Sequence, residues 1–253
     1  MDKALIYISN YKSRQLRLLP QVVANFNSWP IETRVIVNTT EEITIPGNYE
    51  QRVVTTRTGY GFSNVYRNDM ISELENYDYF IYCEDDIIIP YYAFQTYLEY
   101  TNKLPAHYIC GYIRYETDGE SIHLPDHVNS HITKMDIGEE PYFMLSNAHQ
   151  GCFTLTREQL QKCILTGQFH GYTDDEYEHR ININGMGRFG YDANASSSTD
   201  VFCCGAFSKK VYPTNNFEKL MVHHSSNKFV TLQKDVNFLR ALPLNMFKER
   251  LGV

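Results

Sequence analysis

The sequence has no excess of positive charge, no paired cysteine motif and no long apolar run, and each absence removes a class of protein. Lys and Arg number 23 against 30 Asp and Glu, giving a formal net charge of -7 and a pI near 5.7. That balance excludes a surface built for nucleic acid, because phosphate backbones demand a basic footprint. The six cysteines, Cys83, Cys110, Cys152, Cys163, Cys203 and Cys204, contain no C-x-x-C pair and lack the spacing of a secreted disulfide framework, so they read as reduced and mostly buried. The first apolar run, Ala4 to Ile8, is too short for a signal peptide or a membrane span, and no other segment reaches that length. A cytoplasmic chain is expected, in which the sequons at Asn38 and Asn194 are chance matches.

Two apparent motifs fail on their context. His123, His127 and His131 recur at intervals of four, as zinc ligands on one helical face would, but Pro125 interrupts any helix there. Gly185 to Gly190 spells G-x-G-x-x-G without a strand before it or a helix after it, which rules out a dinucleotide fingerprint. A Gly-, Asn- and Ser-rich loop over 182–199, able to close over a ligand, fits those letters better.

What is present centres on one stretch. Tyr77 to Cys83 is a run of seven positions, all apolar or aromatic except Asp78, without helical period. It leads into Glu84-Asp85-Asp86 and then Ile87 to Ile89 and Pro90. This reads as a buried central strand with three acids at its carboxyl end, the edge where open α/β sheets bind ligands. A solvated turn is the alternative, but the apolar runs on both sides argue against solvent for all three. Clustered carboxylates there must take up protons or hold a cation, and a hard divalent ion suits oxygen donors.

Along the 253 residues, strands are expected at Ala4 to Ile8, Thr33 to Val37 and Arg52 to Thr55. A helix bearing Leu16, Leu19, Val23 and Phe26, kinked or started late by Pro20, falls between the first two. Ser63 would cap a helix carrying Tyr66, Met70 and Leu74. The alternation predicts a mainly parallel sheet with helical crossovers. A helix over Tyr91 to Leu104 and a strand over His107 to Tyr115 follow, then hairpins or a loop over 116–140. Strand character resumes over Tyr142 to Phe153, and Thr156 caps a helix through Ile164. Val201 to Phe207 reads as a late strand, and Phe229 to Val253 as a helical tail. Tyr is abundant at 20 residues, a weak pointer to sugar-stacking surfaces.

With its acidic strand end, the sequence resembles the metal-dependent glycosyltransferases of the GT-A fold, Glu84-Asp85-Asp86 being an E-x-D form of their D-x-D signature. The resemblance implies an α/β, Rossmann-like single domain with a mostly parallel central sheet flanked by helices. It would cover 1–230, with a nucleotide-binding half over 1–104, an acceptor half over 105–230 and a helical tail over 231–253. It further implies that Ser9, Asn38, Arg67 and Glu84 or Asp85 face the nucleotide, and that Asp86, with His223 or His224, holds Mn²⁺ or Mg²⁺. Arg67-Asn68 is similar to an Arg-Asn pair on the corresponding helix of inverting members, although alone it would read as a surface arginine. Asn147, His149, Gln150 and Gly151 would meet the donor sugar and acceptor, and Lys228 would offset diphosphate charge. In Asp174-Asp175-Glu176, Asp175 is the first choice as general base and its two neighbours are alternatives; stabilising a helix end is the plainer role of the same acids.

The function so implied is inverting sugar transfer from a UDP-sugar to a glycan or other hydroxyl acceptor. The alternatives are a retaining enzyme of the same fold or a non-catalytic sugar- or protein-binding module. Nucleotidyltransferases share the fold, but Ser9 to Arg14 lacks their glycine-rich signature.

Overall fold

The computed structural model describes residues 2–13, 15–55, 62, 65–125, 127–128, 130–146, 151–171, 205–234 and 241–253. Among these the strands are β1 (Lys3–Asn10), β2 (Glu32–Thr39), β3 (Glu50–Val53), β4 (Tyr79–Glu84), β5 (Ile87–Ile88), β6 (Tyr108–Cys110) and β7 (Ile113–Thr117). They continue as β8 (Ile122–Pro125), β9 (Ile132–Ile137), β10 (Glu140–Leu145), β11 (Cys152–Thr156), β12 (Lys209–Pro213), β13 (Met221–His224) and β14 (Ala241–Pro243). Helices span Leu19–Asn27, Arg67–Ser72, Tyr91–Lys103, Arg157–Leu165, Lys228–Lys234 and Leu244–Leu251. The protein is a mixed α/β structure in two compact units, one from the described residues within 1–87 and 151–206, the other from those within 88–146 and 207–253.

The first unit holds a sheet in the order β11-β4-β1-β2-β3. β1 runs parallel to β2 and β4, β2 runs parallel to β3, and β11 closes the β4 edge antiparallel. Ala4, Leu5, Ile6, Tyr7 and Ile8 are fully buried, as a central strand covered on both faces requires, which is why the sequence shows a continuous run rather than alternation there. Pro20 sits in the first turn of Leu19–Asn27, where a missing N–H costs no intrahelical bond, so the helix starts late instead of kinking. Leu19, Val22, Val23 and Phe26 form its buried stripe. Thr156 and Gln159 make the reciprocal capping box that fixes the start of Arg157–Leu165 on leaving β11.

The second unit contains β6-β12-β10-β9 and, side by side, β14-β8-β7-β13. The single strand expected over His107 to Tyr115 is two strands. β6 pairs parallel with β12 and β7 parallel with β13, the break falling at Gly111 and Tyr112. Tyr112 is drawn aside, buried and stacked on Tyr97 at 5.4 Å between ring centroids. Likewise Tyr142 to Phe153 is not one strand, since β10 lies in the second unit and β11 in the first. The stretch 116–140 forms β8 and β9, and the C-terminal residues add β14 antiparallel to β8 before the Leu244–Leu251 helix. Phe143, Tyr212, Phe217 and Phe247 pack together at the centre of this unit's core. No helix among the described residues is long and apolar enough to cross a membrane.

Candidate active site

The carboxyl ends of four parallel strands bring the first unit's polar residues to one edge. Ser9 of β1 stands opposite Asn38 of β2 on one side and Glu84 of β4 on the other, and Asn38 stands opposite Arg52 of β3. Residues in register share a face of the sheet, so Arg52, Asn38, Ser9 and Glu84 form one polar row. Two residues back along the strands, Tyr7, Tyr82 and Phe153 form an apolar row. Tyr66, just before the Arg67–Ser72 helix, covers that row, with its ring stacked on Tyr82 at 4.5 Å and tilted against Tyr7 at 5.7 Å between centroids. Burial, with Glu84 adding to it, pushes the Tyr82 hydroxyl well above its ordinary range, and burial carries Tyr7 up to about 12. Both are therefore neutral, and the polar row rests on an uncharged aromatic floor.

The acidic triplet is not a solvated turn. Asp85 is 8% and Asp86 4% exposed, while Glu84 is half-buried. Asn10 Nδ2 donates to Asp85 Oδ2 at 2.5 Å. Desolvation first, and the Asp86 charge second, push the Asp85 carboxyl up to about 7. Burial chiefly raises the adjacent Cys83 thiol, which is one of four buried cysteines outside any disulfide among the described residues.

Gly151 supports the first acid. Its carbonyl accepts from the Glu84 amide at 2.9 Å, and its φ of +64° lies in the left-handed region. A Cβ there would lie 3.0 Å from Glu84 Oε2 and 3.1 Å from Cδ, so the carboxylate lies against bare backbone. Gly151→Ala is expected to lower stability by about 1–2 kcal/mol, from a left-handed alanine and a displaced Glu84. That should appear as a loss of several degrees in Tm. An unchanged melt would show that Glu84 moves aside at no cost.

Arg67 is buried at 1% exposure, against the surface position that its sequence alone would suggest. Its guanidinium lies 4.9 Å from the centre of the Phe169 ring, and the neighbouring Asn68 Oδ1 accepts from the Gly171 amide at 2.9 Å. These contacts dock 169–171 on the start of the helix that covers the aromatic floor. Arg52, at the end of the polar row, is ion-paired with Asp69 of the same helix.

Two residues at this edge had been given no role by sequence reasoning. Asn10 follows Ser9 directly, and its role needed only the observation that β1 extends two residues past its apolar run. Lys12 adopts φ 55° and ψ 34°, rare for a residue with a side chain, and its amide donates to Thr40 Oγ1 at 3.0 Å. No sequence signal marks that conformation.

His223 and His224 end β13 in the second unit. The His224 ring is fully buried, with Nδ1 2.5 Å from Glu116 Oε1 and Nε2 2.9 Å from Ser226 Oγ, so a metal would have to displace one of these partners. His223 stacks on Tyr115 at 4.9 Å, and burial lowers its pKa. Among the described residues no group of three or more His, Cys, Asp or Glu is disposed to hold a metal by itself. The Asp85-Asp86 pair does suit a hard cation of the Mg²⁺ or Mn²⁺ kind, which takes one or two carboxylates and completes its shell with water and phosphate oxygens. Asp174, Asp175, Glu176, Asn147, His149 and Gln150 lie outside the described residues, as does the glycine-rich loop.

No protein-family model matches the chain, and no curated protein matches it. Among solved structures it is similar to A197 from STIV, with 18% identity and a TM-score of 0.32 over 64% of this chain and 68% of that one. It is also similar to residues 1–349 of S. aureus TarS in complex with UDP-GlcNAc, with 8% identity and a TM-score of 0.36 over 64% of this chain and 47% of that one. The chain thus spans about half the length of the TarS segment.

Proposed function

We propose that the protein is a metal-dependent glycosyltransferase that uses a nucleotide-diphosphate sugar, with UDP as the nucleotide, and transfers the sugar with inversion to a glycan or other hydroxyl acceptor. The observation that carries this reading is the buried Asp85-Asp86 pair at the carboxyl end of β4, beside the polar row of Asn38, Ser9 and Glu84. Buried carboxylates of this kind are costly unless a cation or proton balances them, and the edge they occupy is where α/β sheets take nucleotides.

In this reading Asn38, Ser9 and Glu84 hydrogen-bond the nucleoside, with Gly151 keeping the Glu84 carboxylate in place. Asn10 orients Asp85, and Asp86 holds the ion. When bound, Mg²⁺ or Mn²⁺ supplies positive charge to the oxygens of the departing diphosphate. Lys12, exposed at the same edge with its ammonium 5.1 Å from the centre of the Tyr11 ring, adds a cation for the same charge. Arg67 keeps the covering helix and 169–171 docked, so that the aromatic floor stays dry. Asp175 is assigned the general base, taking the acceptor hydroxyl's proton as the new bond to the anomeric carbon forms.

Calorimetric titration with UDP and with GDP, in Mn²⁺ and then in EDTA, tests the reading. UDP is expected to bind in Mn²⁺ only, and Asp86→Ala should weaken it at least about a hundredfold, about 2.7 kcal/mol. Absence of binding by either nucleotide with metal present would sink the function proposed.

A further inference from the structure

The second unit contains a chain of three hydrogen-bonded side chains that the proposed sugar transfer does not use. Glu116, at 0% exposure, approaches His224 Nδ1 with Oε1 at 2.5 Å and accepts the Val230 amide on Oε2 at 2.8 Å. With Glu116 Oε1 as the acceptor from Nδ1, the tautomer that satisfies both contacts leaves His224 Nε2 as an acceptor. That nitrogen faces Ser226 Oγ at 2.9 Å. We propose that Glu116, His224 and Ser226 form a second reactive site, in which Ser226 is a nucleophile toward acyl esters.

The local fold suits that chemistry. Ser226 is partly exposed and lies on the turn between β13 and the Lys228–Lys234 helix. The next residue, Asn227, is left-handed at φ 48°. It is pinned by its amide to the His224 carbonyl at 3.1 Å and by its Oδ1 to the Thr117 amide at 3.0 Å. Strain of this kind, on a sharp strand-to-helix turn, fixes a hydroxyl relative to its base. Phe229, its ring centre 6.0 Å from that of His224, offers apolar surface for a short acyl chain.

In the first step Ser226 Oγ bonds to the ester carbonyl carbon and its proton passes to His224 Nε2. The bond from carbon to the alcohol oxygen then breaks, and the same proton goes to the departing alkoxide. Water repeats the sequence on the acyl-serine, so ester and water become acid and alcohol. Glu116 is a positioning residue, holding the tautomer and balancing the imidazolium.

The test is labelling of the full chain with a fluorophosphonate, mapped by peptide mass spectrometry, with exposed Ser28 and Ser121 as internal references. Ser226 is expected to react at least about a hundredfold faster than either, the usual scale of general-base assistance. Glu116→Gln should reduce that ratio at least about tenfold in a folded protein. Labelling of Ser226 no faster than Ser28 and Ser121 in the wild-type protein overturns the proposal without reference to any variant. An unchanged ratio in a folded Glu116→Gln protein overturns it as well.

Discussion

In EDTA, Asp85 is expected to make the protein less stable as the pH rises from 4 to 7, against the trend that salt-bridged carboxylates produce. Its carboxyl is raised from 3.8 to about 7, chiefly by burial and then by Asp86, so between those values the folded state binds a proton that the unfolded chain has released. The contribution is fully present below the unfolded value and is gone above the folded one. At about 1.4 kcal/mol per pH unit the span corresponds to roughly 4 kcal/mol. Glu50, lowered by its bond to Arg34, and Asp118, held at about 2 mainly by the Ser121 and Glu120 amides, lose their contributions at the acid end with the opposite sign. The measurement is therefore a difference: urea unfolding of wild type and Asp85→Asn at pH 4.5 and 7.5. Asparagine keeps an oxygen to accept from Asn10 but has no proton to lose, so the variant should gain relative to wild type as the pH rises. An equal pH slope in both proteins would mean that Asp85 is ordinary.

The same comparison tests the metal. A cation bound at Asp86 and Asp85 favours the ionised carboxyl, releases its proton and stabilises the folded state by mass action. Mn²⁺ should then restore wild-type stability near pH 7.5 and do much less for Asp85→Asn. If Mn²⁺ shifts neither, the pair takes up protons rather than ions and the metal-dependent reading falls.

How much of this was legible beforehand differed with the range of the interactions. The parallel sheet was readable because its central strands are apolar on both faces, and the acids announced themselves by interrupting such a run. The late helix start at Pro20 and the Thr156 capping box are local chemistry, and local chemistry was readable too. Where the chain breaks direction was not: His107 to Tyr115 has continuous strand composition, yet Gly111 and Tyr112 pass it from β6 to β7 because partners far along the chain, β12 and β13, set each half. The nucleotide-facing place of Arg67 came from the resemblance alone, and nothing nearby in sequence foretold its contact with Phe169. The pairing of His224 with Glu116 spans 108 residues, which no spacing rule could reveal.

That pairing also has the largest expected effect on stability. Glu116 and His224 are both fully buried, and removing the imidazole by His224→Ala leaves a carboxylate in apolar surroundings with the Val230 amide still donating to it. Breaking a buried pair in this way costs about 3–5 kcal/mol, the desolvation of a charge no longer compensated. Replacing both partners, as in Glu116→Leu with His224→Phe, removes the buried charge along with its partner and should recover most of that loss. A double-mutant cycle of Glu116→Leu, His224→Phe and their combination, read by urea unfolding beside His224→Ala, resolves the two contributions. Strong coupling with a nearly stable double variant would mean that apolar side chains can fill this part of the core, so that stability alone does not require the carboxylate and imidazole and their use lies in what they do to Ser226. A double variant as unstable as His224→Ala would instead tie the network to holding β13 and the Lys228–Lys234 helix against β7.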